Sequence, residues 1–531
     1  MSLDDLASTT AESAFKLFTG QFLGTLIAGI GSIVLTRILG PEAYGRYALS
    51  IVVPSFLLVF AGLGIDSGLT KYTAMHSGGC RLKGYVMAGI LFKLLTALPL
   101  AVLAYAWAEP LSQLILGRSD IGLLVKVSSL VVIFSSLLSS LTAIFVGMSM
   151  AGRASLLNIA FQTSRSVLSP VLVVLGFGVL GAVAGYTSGY AVAAVLGLVI
   201  LSSVLRENVA GCGEEGPYLP YVKELLVFSA PVYTSSIAST MLSTYQSALL
   251  SRYASYSEIG SFQAASNLAS LLTLVTLPIS TSLFPAFSRF RDLREASKAA
   301  EVAITMTSLL LTPVVLFTVV ESRDVVKIFY GAQFSASSEY LAAYVLIYLY
   351  SLIGSIVWGS FFQGVGRPKV LFKSTLIYSA VYIPSAYLLA VTHSVRGVIA
   401  AVLSASMASN VKLLLEGSKL GVRVDFAKNT KILLSAVIPA LAITPLPLAS
   451  LSTVTRVILL STLYLALYVA SLPLTGAIVS ADVELLRATL KLPFFLRSLS
   501  EFLLDALERI IRLRERLRGS LFFGWRRPAT G

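Results

Sequence analysis

Apolar runs of about 18 or more residues recur from one end of this 531-residue chain to the other. A helix needs about 20 apolar residues to cross roughly 30 Å of hydrocarbon, so such runs predict membrane-spanning helices. Charged residues make up only 12% of the chain, about half of the roughly 25% that is typical of soluble domains. The chain is therefore predicted to be a multi-pass membrane protein. A soluble enzyme, a nucleic-acid-binding protein and a disordered scaffold are excluded.

The succession of apolar runs predicts an all-α polytopic membrane protein with about 14 transmembrane helices. We expect an N-terminal six-helix half in residues 1–210 and a C-terminal six-helix half in 211–420. Two additional helices follow in 421–479, and a basic amphipathic cytoplasmic tail in 480–531 lies on the membrane or binds a helical partner. The predicted helices are centred near Ala28, Pro54, Ala97, Phe134, Val167, Ala191, Ser239, Leu272, Leu310, Ser351, Val381, Ser404, Pro439 and Leu465.

Lysine and arginine outnumber aspartate and glutamate by 40 to 26 and are unevenly distributed among the predicted connections. One alternate set of connections holds about twice as many basic residues as the other, and basic loops stay on the cytoplasmic side. Both termini are therefore predicted in the cytoplasm, with the chain in the cytoplasmic membrane and basic loops facing anionic lipid. The acidic N-terminal segment is not typical of a cleaved signal peptide, so we expect the first helix to be retained.

Two segments in equivalent places of the predicted halves resemble each other. TRILGPEAYGRYALS at 36–50 aligns without gaps with SRYASYSEIGSFQAA at 251–265, which matches Arg37 with Arg252 and Gly45 with Gly260. Each segment joins the first and second helices of a six-helix set. Because six is even, the two halves would share one orientation and be related by a pseudo-two-fold axis along the membrane normal. Such repeats predict a transporter whose substrate site lies near the membrane midplane.

An arginine inside a predicted span is the clearest candidate for a binding residue, because a charge at the centre of a membrane helix costs about 2.5–3.5 kcal/mol. Asn158, Gln162, Arg165 and Ser169 lie on one face of the fifth helix, at i, i+4, i+7 and i+11. No acidic residue is placed to neutralise Arg165, and a guanidinium matches phosphate oxygens bidentately. The stripe therefore predicts a polar cavity that binds an anion. A structural arginine bonded to backbone carbonyls is the alternative.

Other charged residues also lie in predicted membrane helices, and two of them bear on the site. Lys93, in the third helix, is a second candidate for the cavity, and an interfacial position is the alternative. Asp66 lies late in the second helix, where we expect it near the cytoplasmic interface and beside Lys71.

Hydroxyls, amides and aromatic rings are plentiful in the seventh, eighth and eleventh predicted helices. A sugar needs many modest hydrogen bonds and a flat surface to stack on, so these side chains suit a saccharide. Packing between membrane helices is the alternative for each of them, since small polar residues are common at such interfaces. The candidates are Tyr245, Gln246, Gln263, Asn267 and Tyr378.

The sequence contains no pattern that predicts catalysis. There is no Walker loop, no Ser/His/Asp set and no metal-binding spacing, so we expect no catalytic residue, no metal and no cofactor. The two cysteines, Cys80 and Cys212, predict no disulfide framework.

A group of short motifs places the chain near a known family. RILGPEAYGRY at 37–47 predicts a tight outer hairpin, in which Tyr44 and Tyr47 lie in the interfacial belt and a ligand role for Glu42 or Tyr44 is the alternative. With GLG at 62–64, FSAP at 228–231 and GVGRPK at 364–369, this hairpin resembles the polysaccharide transporter family. That family comprises oligosaccharide flippases within the multidrug/oligosaccharidyl-lipid/polysaccharide exporter superfamily. One departure is that many members carry an acidic residue where this chain reads STYQ at 243–246.

The resemblance implies a transporter rather than an enzyme. Such a flippase moves a polyprenyl-diphosphate-linked oligosaccharide across the cytoplasmic membrane by alternating access, for surface polysaccharide or glycan assembly. Its expected partners are this lipid-linked oligosaccharide, membrane lipid and polysaccharide-assembly enzymes, and no nucleic acid. Two alternatives remain open. A cation-coupled multidrug antiporter of the same superfamily would need carboxylates in its membrane helices, and a membrane glycosyltransferase or polymerase would need a catalytic acid on a sizeable outer loop.

Overall fold

The computed structural model describes residues 3–208, 217–446 and 450–480, together with 483, 484, 487, 505, 507–512 and 514. Throughout these residues every regular element is helical and no strand is present, which confirms the all-α class. The α-helices, in chain order, are α1 Leu3–Ser50, α2 Val52–Leu58, α3 Asp66–Met75, α4 Arg81–Ala106, α5 Ala108–Leu116, α6 Gly122–Ser128, α7 Val131–Gly147, α8 Ala151–Leu172, α9 Gly178–Asn208, α10 Leu219–Tyr253, α11 Tyr256–Ser270, α12 Thr273–Arg289, α13 Leu293–Val320, α14 Ser322–Tyr330, α15 Ser335–Tyr344, α16 Trp358–Gly364, α17 Pro368–Lys419, α18 Phe426–Ile443 and α19 Thr453–Thr475.

Nine helical segments in the described part of the chain are long and apolar enough to cross a membrane. The number rises to eleven when two bent pairs, formed by the two parts of α10 and by α11 with α12, each count as one span. All of the predicted helix centres fall inside these segments except Leu272, which lies at the break between α11 and α12. The multi-pass character predicted from the apolar runs is therefore confirmed.

Three of the nine segments are long enough to hold two spans each: Lys16–Leu58, Ala151–Glu207 and Pro368–Lys419. Each contains a backbone break with positive φ between two predicted centres. The breaks lie at Gly40 (φ 75°), at Gly176 (φ 95°) and at Ser394 (φ 52°). If each of these segments counts as two spans and each bent pair as one, the described residues account for fourteen. The number that crosses a membrane stays a prediction.

The chain divides into two compact units. The first comprises 1–274, 329–340 and 383–401, and the second comprises 275–328, 341–382 and 402–531. The predicted division into six-helix halves at 1–210 and 211–420 stays a prediction.

In the first unit, α8 lies between two helices that present glycine to it. A Cβ atom on Gly31 of α1 would lie 2.1 Å from the Ser166 hydroxyl oxygen, and one on Gly189 of α9 would lie 2.9 Å from the Cβ atom of Arg165. No side chain fits at such distances, so the backbones of α1 and α9 approach α8 closely. This packing fixes the helix that carries the predicted polar stripe.

The two similar segments of the sequence meet in the first unit, where α1 packs on α11. A Cβ atom on Gly45 would lie 2.0 Å from the carbonyl oxygen of Tyr256, and one on Gly260 would lie 1.9 Å from the carbonyl oxygen of Pro41. The two glycines that the alignment matched therefore mark a direct backbone contact, which the alignment alone did not predict.

The second unit has aromatic and aliphatic cores of its own. Trp358, Phe361 and Phe362 of α16 are fully buried around Phe287 of α12. Near the C-terminus, Leu507 and Ile511 are buried in a cluster with residues of α18 and α19. Part of the predicted tail thus packs on these helices. Most of its residues lie outside the described ones, and its position on a membrane stays a prediction.

Cys80, at the N-cap of α4, is disulfide-bonded. This corrects the expectation that no disulfide forms, because spacing along the sequence does not reveal which segments the fold brings together. Cys212 lies outside the described residues.

Candidate functional site

A cavity of about 320 Å³ lies inside the first unit between α1, α8, α9 and α11. Its volume falls within the range of roughly 300–1,000 Å³ that ligand sites occupy. We call it the arginine cavity. Its walls are formed by Thr25, Ala28, Gly29, Gly31, Ser32, Leu35, Tyr44, Tyr47, Ala48, Ile51, Arg165, Ser166, Ser169, Tyr186, Gln263, Asn267, Ser270 and Leu271.

Arg165 is the one charged residue in these walls. Its half-buried guanidinium lies 5.5 Å from the ring centre of Phe161 and 5.8 Å from that of Tyr186. Among the described residues no carboxylate lies within 4 Å of it, and no group accepts a hydrogen bond from it. The alternative of an arginine bonded to backbone carbonyls is therefore not what the described residues show. Within the part of the chain that the structure describes, the cavity holds a cation without a counterion.

The predicted polar stripe divides between two environments. Arg165 and Ser169 line the cavity, whereas Asn158 donates a hydrogen bond to the Gln21 side chain of α1 over 3.3 Å. Gln162 lies against α1 as well, and its buried Oε1 atom has no hydrogen-bond partner in the part of the chain that the structure describes. Only one half of the stripe is therefore available to a ligand in this cavity.

The amides predicted in the eighth helix lie on the opposite wall, on α11. Asn267 donates hydrogen bonds to the Ser32 hydroxyl over 2.9 Å and to the Tyr44 hydroxyl over 2.8 Å. Its Oδ1 atom accepts from Gln263 over 3.1 Å. Tyr44 is only 3% exposed, and the structure places it in the cavity wall. This position agrees with the alternative of a ligand role for Tyr44, whereas its depth in a membrane stays a prediction.

Tyr47 contributes a second hydrogen-bond donor without a partner. Its ring lies 5.7 Å from that of Tyr44 and 6.3 Å from that of Tyr186. Its hydroxyl makes no hydrogen bond to any described residue. The cavity thus presents a guanidinium and a phenol as free donors and contains no acidic group. The described residues also include no group of three or more histidine, cysteine, aspartate and glutamate side chains that could hold a metal.

Lys93 lies outside the arginine cavity, in a buried ion pair. Its ammonium donates to Asp66 Oδ2 and to the Ser139 hydroxyl, each over 2.9 Å, and the residue is 5% exposed. The other oxygen of Asp66 accepts from Ser140 over 3.0 Å. The expected pairing of Asp66 with Lys71 was wrong, because the chain between α2 and α3 is unwound and presents Asp66 to α4.

The remaining predicted residues lie elsewhere. The Tyr245 hydroxyl donates to the carbonyl oxygen of Ile383 over 2.7 Å, and Gln246 follows it on α10 outside the cavity walls. Tyr378 belongs to the second unit, where it stacks on Tyr382 with ring centres 5.4 Å apart. Of the predicted residues, the structure brings Arg165, Ser169, Gln263 and Asn267 together around the cavity.

The fold and the cavity define a class of protein: a multi-pass helical membrane protein with an uncompensated cation inside its helices. Residues 10–291, more than half of the chain, match the family described as "Polysaccharide biosynthesis protein". The chain belongs to this family, and the resemblance drawn from the motifs is confirmed.

Relatives named as a transport protein and a flippase support the same assignment. The chain is 25% identical over 360 residues to the succinoglycan biosynthesis transport protein ExoT of Rhizobium meliloti, a match that covers 65% of this chain and 67% of that protein. It is 25% identical over 303 residues to the lipid III flippase of Escherichia coli, covering 55% and 68%. Among solved structures, the lipid II flippase MurJ aligns with a TM-score of 0.69 at 17% identity, over 85% of this chain and 97% of MurJ. The last similarity shows the fold alone.

Proposed function

We propose that this protein is a flippase, not an enzyme, and that it translocates a polyprenyl-diphosphate-linked oligosaccharide across the cytoplasmic membrane by alternating access. The product would serve surface polysaccharide or glycan assembly, and the assembly enzymes are the expected protein partners. The family, and relatives named as transporters and flippases, support this function. The single observation that carries it is Arg165, a cation without a counterion in a cavity between membrane helices.

The chemistry of the cavity favours an anionic headgroup. Burial of a charge is costly unless the charge is paired, so an anion that enters the cavity would pair with a guanidinium that is already half-buried. A diphosphate oxygen can accept from the Arg165 guanidinium, and the Tyr47 hydroxyl offers a further donor on the same cavity. A cation-coupled antiporter would instead need a carboxylate here, and none lines the walls.

The proposal also includes the orientation of the chain and the position of the bound lipid. Both termini lie in the cytoplasm, and the halves 1–210 and 211–420 alternately open to the two sides. The headgroup occupies the cavity while the polyprenyl tail stays among the lipids.

Replacing Arg165 tests the proposal directly. The protein is reconstituted in liposomes with a fluorescent polyprenyl-diphosphate-linked saccharide, and translocation is followed by chemical quenching of the outer-leaflet label. Hydrogen bonds to a charged group contribute about 1.5–3 kcal/mol. We therefore expect Arg165→Gln to slow translocation by roughly 10- to 100-fold. Arg165→Lys keeps the charge but loses the bidentate geometry, so its translocation rate should lie between those of the wild type and of Arg165→Gln.

The matched control is Arg206→Gln, which removes an exposed arginine at the end of α9, outside the cavity walls. It should translocate like the wild type. The proposal would be contradicted if Arg165→Gln translocated the lipid at the wild-type rate, provided that the variant inserts in the liposomes and has the thermal stability of the wild type.

A further inference from the structure

A second cavity, of about 190 Å³, lies in the first unit beside the arginine cavity. We call it the hydroxyl cavity, because most of its wall residues carry a hydroxyl group and none is charged. Its walls are formed by Ala48, Ile51, Val52, Ser55, Thr240, Ser243, Thr244 and Ser247. The hydroxyls come mainly from α10, the seventh predicted helix.

The two cavities are neighbours. Ala48 and Ile51, where α1 passes into α2, belong to the walls of both. A molecule bound at Arg165 that continued past these two residues would reach the hydroxyl cavity within the first unit.

The hydroxyl groups of this cavity are available as both acceptors and donors. Ser243 donates to the carbonyl oxygen of Thr240 over 2.9 Å, and Ser247 donates to that of Ser243 over 3.0 Å. Their oxygen lone pairs remain free to accept. The hydroxyls of Ser55, Thr240 and Thr244 make no hydrogen bond to any described residue. The cavity can thus accept and donate at once.

This chemistry differs from that of the arginine cavity. An anion would find no cation in the hydroxyl cavity, and a metal cation would find no carboxylate. A sugar ring carries uncharged hydroxyls that both donate and accept, together with C–H faces that suit apolar side chains such as Ile51 and Val52. Among the parts of a lipid-linked oligosaccharide, the sugar therefore fits this cavity and the diphosphate fits the other.

We propose that the hydroxyl cavity is the subsite for the sugar unit joined to the diphosphate, while Arg165 binds the diphosphate itself in the neighbouring arginine cavity. This inference rests on the proposed flippase function and adds a sugar-recognising part to the site. It also gives the hydroxyl-rich α10 a role at a place where many family members carry an acidic residue instead.

The test compares two kinds of probe with the same lipid tail. One is farnesyl diphosphate. The other is a set of farnesyl diphosphates that carry glucose, galactose or N-acetylglucosamine. Affinities are measured with the purified full-length protein in detergent. Thr240→Val/Thr244→Val removes two unpartnered hydroxyls at nearly constant volume, and Thr281→Val, on the exposed surface of α12, is the matched control.

We expect at least one sugar-bearing probe to bind the wild type more tightly than farnesyl diphosphate. The double variant should lose this difference in affinity and bind that sugar-bearing probe about 5- to 20-fold more weakly, because each neutral hydrogen bond adds only a modest free energy of binding. Its affinity for farnesyl diphosphate, and both affinities of the control, should not change. Absence of any sugar advantage in the wild type would overturn the inference, and so would equal losses for both probes in the double variant.

Arg165→Gln separates this inference from the function on which it rests. If Arg165 binds the diphosphate, this variant weakens binding of both kinds of probe. If it weakens neither, the proposed function fails. If it weakens both while Thr240→Val/Thr244→Val leaves the sugar advantage intact, the sugar subsite alone is wrong.

Discussion

Replacing Asp66 should destabilise the protein more than replacing its partner Lys93. The two side chains form an ion pair, but they are not equally buried: 6% of the Lys93 side chain is exposed, against 34% of the Asp66 side chain. Asp66→Asn leaves a buried ammonium with only neutral acceptors, the Ser139 hydroxyl and the new amide oxygen, and with no counterion. Lys93→Met leaves a carboxylate that still accepts from Ser140 and is about one-third exposed.

The magnitudes follow from this asymmetry. Removing one partner of a buried ion pair costs about 3–5 kcal/mol when the other charge stays buried, which is the expected loss for Asp66→Asn. For Lys93→Met we expect about 1–3 kcal/mol, the range for a polar group that loses one partner and keeps others. The double variant Asp66→Asn/Lys93→Met leaves no unpaired charge and should recover part of the sum of the two losses.

The assay is thermal or denaturant unfolding of the purified protein in one detergent. Arg396→Met is the matched control, because the Arg396–Glu339 pair has side chains 67% and 57% exposed. It should cost no more than about 1 kcal/mol. A loss for Lys93→Met equal to or larger than that for Asp66→Asn would refute the reasoning, and so would a loss for Asp66→Asn no larger than that of the control.

Two further predictions concern packing and pH. Gly260→Ala should lower the free energy of unfolding by about 1–3 kcal/mol, because its Cβ atom would lie 1.9 Å from a carbonyl oxygen. Gly359→Ala is the control, since a Cβ atom there meets nothing within 4 Å. Equal thermal stability of the two variants would contradict the contact. Burial, and secondarily the charge of Asp324, raise the pKa of Glu321 above its usual 4.5. The folded protein therefore keeps this proton at pH values where the unfolded chain has lost it, and the free energy of unfolding falls as the pH rises above 4.5. Glu321→Gln should therefore unfold at a higher temperature than the wild type at neutral pH and lose this advantage near pH 4; parallel pH profiles would exclude this role for Glu321.

The fold class and the principal cation could be predicted from the sequence because both depend on local properties. The length of an apolar run defines a spanning helix, and the spacing of polar residues on α8 assigns Arg165 and Ser169 to one face. The break at Gly40 could also be predicted, because it lies in the hairpin motif at 37–47 between two apolar runs.

What the sequence could not supply was the pairing of residues on different helices. Asp66 and Lys93 lie on α3 and α4, and their ion pair depends on the unwound chain at 59–65. Tyr44 follows a hairpin motif that is typical of an interface, yet the packing of α1 on α11 buries it. Tyr245 has a hydroxyl and an aromatic ring that suit a sugar site, but its hydroxyl donates a hydrogen bond to a backbone carbonyl of another helix.

At the contact between Gly45 and Gly260 the main chains of two similar hairpins touch. Neither hairpin can therefore take a methyl group at its glycine unless the other moves. A larger residue at either position is expected to disturb both hairpins at once, so the size limit belongs to the pair rather than to either glycine.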